Sequence, residues 1–455
     1  MNIKRVLIAN RGEIAVRVIK ACRALGLETV LATSETDRQS LPAQMADRVV
    51  CIGPASASKS YLNANAIVAT AVGTGADAVH PGYGFLSESS HLATLCDQHD
   101  ITFVGPRADQ IHKMGNKLEA RALARQFGVP VLPGSEKVES AEDALKIANK
   151  IGLPIMMKAA AGGGGRGMKI VTEHSQMAEM FTAAAAESLS AFGDNTLYLE
   201  RYISNARHIE VQVLGDRFGN VIHLGERDCS LQRRHQKIVE ESPAPGVPPA
   251  LRDEICESAA RLARSIGYES AGTVEFIYDE DEKRYYFLEM NTRIQVEHPV
   301  TEAVTGIDLV QEQFRIASGE PLRIKQKDVT FSGHAIECRV NAELPFEGFR
   351  PSPGPIARWQ IPTDSHVRVD THCYEGYVVP INYDSLLAKL IVHGKDRQEA
   401  LLRMRAALTD FVVNGIGTTI PFLAYAMDNP AFSAGRVNTA LVGQLIETMD
   451  KSLAS

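Results

Sequence analysis

Between an apolar run that ends at Lys158 and a second that begins at Met168, the chain places Gly162-Gly163-Gly164-Gly165-Arg166-Gly167. Consecutive glycines let backbone N–H groups converge on an anion with no Cβ in the way, and a strand lysine beside them adds positive charge, which suits a polyphosphate. No Gly-Lys-Ser/Thr follows and a strand comes next, so the run is not a P-loop; a flexible hairpin connection is the plainer alternative. Downstream, acidic and apolar residues alternate in Thr273-Val274-Glu275-Phe276 and in Phe287-Leu288-Glu289-Met290-Asn291. Strand side chains alternate in direction, so Glu289 and Asn291 share a face and Glu275 joins them from the neighbouring strand. Two carboxylates and an amide oxygen are hard ligands suited to Mg²⁺ (or Mn²⁺) on phosphate oxygens; exposed edge glutamates are the alternative. Arg293, Gln295 and Glu297 follow at alternate positions, and in an extended segment they would offer one small anion a guanidinium, an amide and a base. The run from Glu226 to Lys237, taken alone, reads as a solvated charged face.

These groups need elements to hold them. Val6 to Asn10, the mixed helical spacing from Ile14 to Cys22 and Thr29 to Ala32 read as a β-α-β opening, and further runs at 48–52, 78–79 and 101–104 alternate with helices at 64–72 and 91–98. An open, mostly parallel α/β unit over residues 1–113 is expected, and Asn10-Arg11-Gly12-Glu13 lacks the G-x-G-x-x-G spacing of a dinucleotide fold. A helix over 117–127 that meets Gly128, Pro130 and Pro133-Gly134 marks a boundary. Strands are expected at 197–201, 208–214, 221–226, 272–278 and 285–289, with a helix over 250–266 between them and another over 398–408 near the end. The fold class is α/β and α+β.

Lys plus Arg is 48 and Asp plus Glu 55, a formal charge of −7, which argues against a nucleic-acid protein that binds through general positive charge. The chain opens with a stretch too short for a secretory h-region, and no apolar run reaches spanning length, so a cytoplasmic protein without membrane contact is expected. Seven scattered cysteines without a C-x-x-C pair read as reduced, mostly buried thiols, Cys229 included.

His80-Pro81-Gly82-Tyr83-Gly84-Phe85-Leu86-Ser87-Glu88, Gly162 to Met168, Glu226 to Lys237, Asn291 to Glu302, Arg339-Val340-Asn341-Ala342-Glu343 and Pro351-Ser352-Pro353-Gly354 together resemble the biotin carboxylase family of ATP-grasp enzymes. The resemblance covers nearly the whole chain. It implies an N-terminal α/β domain over 1–113, an ATP-grasp domain over 114–330 with a lid at about 131–203, and a mixed C-terminal domain over 331–455. It further implies that Lys117, Lys158 and the glycines Gly162, Gly163, Gly164 and Gly165 hold the ATP phosphates. Glu200, Arg201, Tyr202 and Ile203 would contact adenine, with His208, Gln232 and His235 around ribose and phosphates. Glu275 and Glu289 would bind the metal, with Asn291 close by. Arg293, Gln295 and Val296 would cradle bicarbonate, Glu297 would be the base, Lys237 a phosphate contact, and Arg339 would face the ureido oxygen of biotin. The implied partners are a biotin carboxyl carrier protein, carboxyltransferase subunits of a parent enzyme such as the acetyl-CoA carboxylase of fatty acid biosynthesis, and a second copy in a homodimer. The chain departs from the family's pattern at Ala161, Leu344 and Asn382-Tyr383-Asp384-Ser385, and no biotinylation motif is present. Another ATP-grasp ligase or a non-catalytic nucleotide-binding subunit are the rival readings.

Overall fold

The computed structural model describes residues 3–160 and 168–453, so Ala161 and the glycines at 162–165 lie outside the described residues. Near the N-terminus, strands β1 (Arg5–Ile8), β2 (Glu28–Ser34), β3 (Arg48–Gly53), β4 (Ala78–His80) and β5 (Thr102–Phe103) form a parallel sheet in the order β3-β2-β1-β4-β5. The order reverses between β1 and β4, and in such sheets a crevice opens beyond the strand ends at that point. Asn10, just past β1, bridges it by donating to the carbonyls of Pro81 and Tyr83, both at 2.7 Å. Helix α1 (Gly12–Ala24) starts there, and Gly12 has φ +67°, a conformation that favours glycine.

A small unit stands over the middle of the chain. In it β6 (Ile155–Ala159) lies between β7 (Lys169–Val171) and β8 (Leu197–Arg201), backed by helices Ala141–Ile151 and Met177–Phe192. The second helix is absent from the sequence reading, because its alanine-rich stretch has little amphipathic contrast.

The largest element is an eight-stranded antiparallel sheet. It runs from β13 (Arg284–Asn291) through β12 (Ser270–Asp279), β9 (Ala206–Gly215), β10 (Val221–Arg233), β11 (Gln236–Ser242) and β14 (His334–Asn341) to the strands Leu386–Gly394 and Val367–Thr371. Val239 in β11 pairs with Cys338 in β14, so one sheet carries both middle and C-terminal residues. The Glu226 to Lys237 run forms most of β10 and the start of β11, and it is solvated only at the turn, where Arg234, His235 and Gln236 are exposed; Glu226 to Gln232 are buried. Arg227 is fully buried and donates to Glu210 (2.5 Å), Gln212 (2.8 Å), Thr301 (3.0 Å) and Thr273 (3.1 Å). The sheet supplies partners for Arg227, Asp228 and Lys237, which a one-dimensional charge count cannot register. Helix Pro249–Ser265 packs on β9 and β10, helices Arg397–Asp410 and Ile420–Asp428 cover the C-terminal strands around Met404 and Phe422, and helix Leu441–Leu453 packs on β10 with Leu445 in the same core. Among the described residues no helix is long and apolar enough to cross a membrane, and all seven cysteines are free, six of them buried.

Candidate active site

A crevice of about 1230 Å³ lies where the N-terminal sheet, the small unit and the eight-stranded sheet meet. Every candidate residue described in the structure reaches its lining except Glu297, which is buried just behind it. At one end, Lys117 from the start of helix Lys117–Gln126 and Lys158 from β6 converge. Lys158 Nζ lies 2.5 Å from Glu200, and the same carboxylate also pairs with Arg121. Burial pushes the Lys158 ammonium down to about 7, with Lys117 and Arg121 adding to the effect. His235 is lowered too, first by burial and then by Lys158. It sits with Arg234 at the β10–β11 turn, where both residues take positive φ, 65° and 48°.

Glu200 is therefore occupied by two cations. The Arg201 side chain turns outward to Glu282, and the backbone N–H groups of Arg201 and Tyr202 donate to Pro133 and Pro154. Ile203 and Gln232 line the same wall.

Register brings the expected carboxylates together, since Glu275 in β12 lies opposite Glu289 in β13, and Thr273 lies opposite Asn291. Glu275 accepts from Asn291 (2.7 Å), Lys237 (3.0 Å) and Gln295 (3.1 Å) and lies 2.8 Å from His208 Nε2. Burial alone would raise its carboxyl, but Lys237 and His208 hold it far below the ordinary range. Glu289 is half-buried, 3.6 Å from Lys117. The two glutamates suit a hard divalent cation, whereas Asn291 turns its nitrogen to Glu275 and its oxygen to Arg293 at 3.2 Å, so in this arrangement it orients a ligand. The buried triads His208–Glu210–Glu275 and Glu210–Cys229–Glu297 also have metal-like spacing, with Lys237 bonded to two carboxylates of each.

The segment after Asn291 is a loop, not an extended strand. Its side chains still converge, because Arg293 is held by Glu88 (2.9 Å) and donates to Gln295 (2.8 Å). Glu297 precedes helix His298–Thr305 without capping it, which leaves its carboxylate free to turn toward the sheet. There it meets Lys237 at 2.5 Å and Arg339 at 2.9 Å, with the Cys229 thiol 3.9 Å away. Burial would raise Glu297, yet Lys237, Arg339 and Arg227 keep it well below the carboxylate range. Lys237 moves the other way, since Glu210, Glu275 and Glu297 outweigh the effect of burial. Arg339 is shared with Glu240, whose carboxyl burial and the charge on Glu297 push up to about 7 against the pull of Arg339.

Sequence reasoning did not single out Glu210, Glu240, Arg121 or Arg227. The signal was present in β9, where His208, Glu210 and Gln212 alternate with Ile209, Val211 and Val213.

Compared with known proteins, residues 2–111 match the family model for the biotin carboxylase N-terminal domain, 116–325 that for the ATP binding domain of the carbamoyl-phosphate synthase L chain, and 337–444 that for the biotin carboxylase C-terminal domain. The chain is 52% identical over 449 residues to biotin carboxylase 1 of Bacillus subtilis, covering 98% of this chain and 99% of that one. Its fold matches the crystal structure of a Campylobacter jejuni biotin carboxylase–β,γ-ATP complex with TM-score 0.95 and 46% identity, over 97% of this chain and 99% of that one. It also matches the biotin carboxylase domain dimer of Hydrogenobacter thermophilus 2-oxoglutarate carboxylase, crystallised with MgADP, ADP and bicarbonate, with TM-score 0.94 and 47% identity, over 98% of both chains.

Proposed function

The chain belongs to the biotin carboxylase family of ATP-dependent ligases, and from that membership we propose how its own residues divide the work. Lys117, Lys158 and His235 take the ATP phosphates, and the segment from Glu200 to Ile203 borders the base. His208 and Gln232 flank the ribose. Glu275 and Glu289 hold Mg²⁺, which neutralises charge on the phosphates when bound. Arg293, Gln295 and Val296 receive bicarbonate.

Glu297 takes the bicarbonate proton as the bicarbonate oxygen attacks the γ-phosphorus, and ADP leaves. Burial would raise Glu297, but Lys237 and Arg339, which both face it, hold it below the ordinary carboxylate range. Arriving phosphate and carbonate charges compete for those cations and lift Glu297 back toward a useful range. Carboxyphosphate breaks into CO₂ and phosphate. The phosphate removes the N1 proton of biotin, Arg339 stabilises the charge on the ureido oxygen, and N1 attacks CO₂.

The observation that carries this reading is the position of Arg339 and Lys237 on the two carboxylate oxygens of Glu297. The biotin is carried by a separate protein, and a carboxyltransferase passes the carboxyl group from it to the final acceptor. Since the relatives include a 2-oxoglutarate carboxylase domain, the final acceptor is set by that partner and not by this chain. We also propose a homodimer, a cytoplasmic location, and the three-part division of the chain at about 113 and 330. The test is Arg339→Met: loss of a donor aimed at developing charge costs ~3 kcal/mol. Carboxylation of free biotin, followed as labelled bicarbonate fixed, should nearly vanish, while bicarbonate-dependent ADP release without biotin persists. Equal loss of both would remove the biotin role from Arg339.

A further inference from the structure

Two fully buried groups stand directly behind the loop proposed to receive bicarbonate, and neither lines the crevice. His298 Nδ1 lies 2.7 Å from the carbonyl of Gln295, and Lys389 Nζ donates to the carbonyl of Val296 at 2.9 Å. A carbonyl only accepts, so His298 carries its proton on Nδ1. Its Nε2 has no hydrogen-bond partner, and burial together with Lys389, Arg17 and Arg368 keeps the ring neutral.

In a trans peptide the C=O and N–H point opposite ways. Holding the Gln295 carbonyl from behind therefore turns the Val296 N–H away from His298, toward the crevice that Val296 lines. Holding the Val296 carbonyl fixes the next plane and with it the direction in which Glu297 leaves the backbone.

Lys389 is itself anchored. It lies opposite Arg339 on one neighbouring strand and opposite Asp370 on the other, with Glu13 of α1 at 3.3 Å and Asp370 at 3.8 Å. The Glu13 carboxylate also accepts from the Tyr83 hydroxyl. Helix α1, the C-terminal strands and the Gln295–Glu297 loop thus meet at one ammonium.

We propose that His298 and Lys389 are positioning residues that set the two successive peptide planes of the bicarbonate cradle, an inference that rests on the assignment of Val296 and Glu297 to bicarbonate. The experiment measures bicarbonate-dependent ADP release by the full chain carrying His298→Leu, His298→Asn or Lys389→Met. Asn can place an N–H near the position of Nδ1, and Leu cannot. His298→Leu and Lys389→Met should lower kcat/KM for bicarbonate ~10- to 100-fold, the scale of a slight misplacement of reacting groups. The KM for ATP should stay within about twofold, and His298→Asn should recover most of the loss. Equal losses in the Leu and Asn variants, or a KM for ATP that rises as much as that for bicarbonate, would overturn the proposal. If the Leu or Met variant does not fold, His298→Asn remains decisive, since a folded Asn variant with poor bicarbonate use is equally fatal. ADP release independent of bicarbonate in the unaltered chain would instead remove the assignment beneath the proposal.

Discussion

The two ends of the crevice hold their charges in opposite ways. At the proposed nucleotide end one carboxylate, Glu200, serves both Arg121 and Lys158, and Lys117 reaches Glu289 only at 3.6 Å. Burial and neighbouring cations lower Lys158 and His235 there. At the proposed bicarbonate end Lys237 sits among Glu210, Glu275 and Glu297, and Arg339 sits between Glu240 and Glu297. There Lys237 and Arg339 rise and Glu297 falls. A cation cluster short of counterions is completed by a polyanion that arrives already charged. A compensated network can pass a proton internally while its total charge stays constant, which suits a step that creates the anion in place.

The sharpest way to break this contrast is Glu297→Gln, which keeps the shape and removes the base. Turnover should fall ~10²-fold or more while ATP affinity, measured by calorimetry, is unchanged. A parallel loss of ATP affinity would mean that the two ends are a single electrostatic unit.

The next test acts on the cation-rich end. Lys158 sits at about 7 in the fold against an ordinary 10.5, so between those values the unfolded chain binds a proton that the folded site does not. Its penalty on stability is full below that window and disappears as pH rises through it. Nucleotide phosphates favour the charged ammonium, so ATP binding near pH ~8 should take up a proton. Calorimetry in buffers of different ionisation enthalpy should detect the uptake in the unaltered protein and not in Lys158→Met. The same substitution should weaken ATP binding ~10-fold or more, as loss of a charged hydrogen-bond donor does, and should raise the melting temperature of the free protein at neutral pH.

The smallest effect belongs to Cys229. Its thiol is pushed well up by burial and then by Glu210, which leaves it neutral inside the network. Cys229→Ala should change turnover by no more than about threefold, because an uncharged buried thiol acts as a small hydrophobe; a larger loss would place it among the groups that move protons.

Much of this was legible from strand alternation. Glu275, Glu289 and Asn291 sit on one face because of a two-residue period, and the register of β12 with β13 places them as that period requires. The strands of the N-terminal sheet and the helices Gly12–Ala24, Ala64–Thr74 and Ser90–Gln98 were equally plain from their apolar runs, whereas the helices Leu41–Met45 and Ala108–Gly115 were not read. Other features depend on contacts distant in sequence. The Glu226 to Lys237 run resembles a surface until Glu210, Thr273 and Thr301 surround Arg227. Arg293, Gln295 and Glu297 converge through a loop that ends in a helix, since Glu88 holds Arg293, Glu275 accepts from Gln295, and Lys237 and Arg339 draw Glu297 to its place. Lys389 gave no sign at all within Leu387-Ala388-Lys389-Leu390-Ile391, because its partners Glu13 and Val296 lie on other elements.

The pairing of β11 with β14 bears on how such a protein can be recombined. Lys237 and Arg339 stand on adjacent strands, so the distance between them is fixed by a hydrogen-bonded ladder and not by a linker. A chimera that takes its C-terminal third from a homologue cuts through that ladder, and must rebuild the contacts of Ile238 and Val239 with their new neighbours before the two cations can regain their spacing. A fragment ending ahead of His334 would leave the backbone N–H and C=O groups of Gln236–Ser242 unpaired along one side, an open edge with Ile238 and Val239 uncovered. The inheritable unit of this chemistry is therefore the whole eight-stranded sheet, and exchanges that respect it should succeed where shorter ones precipitate.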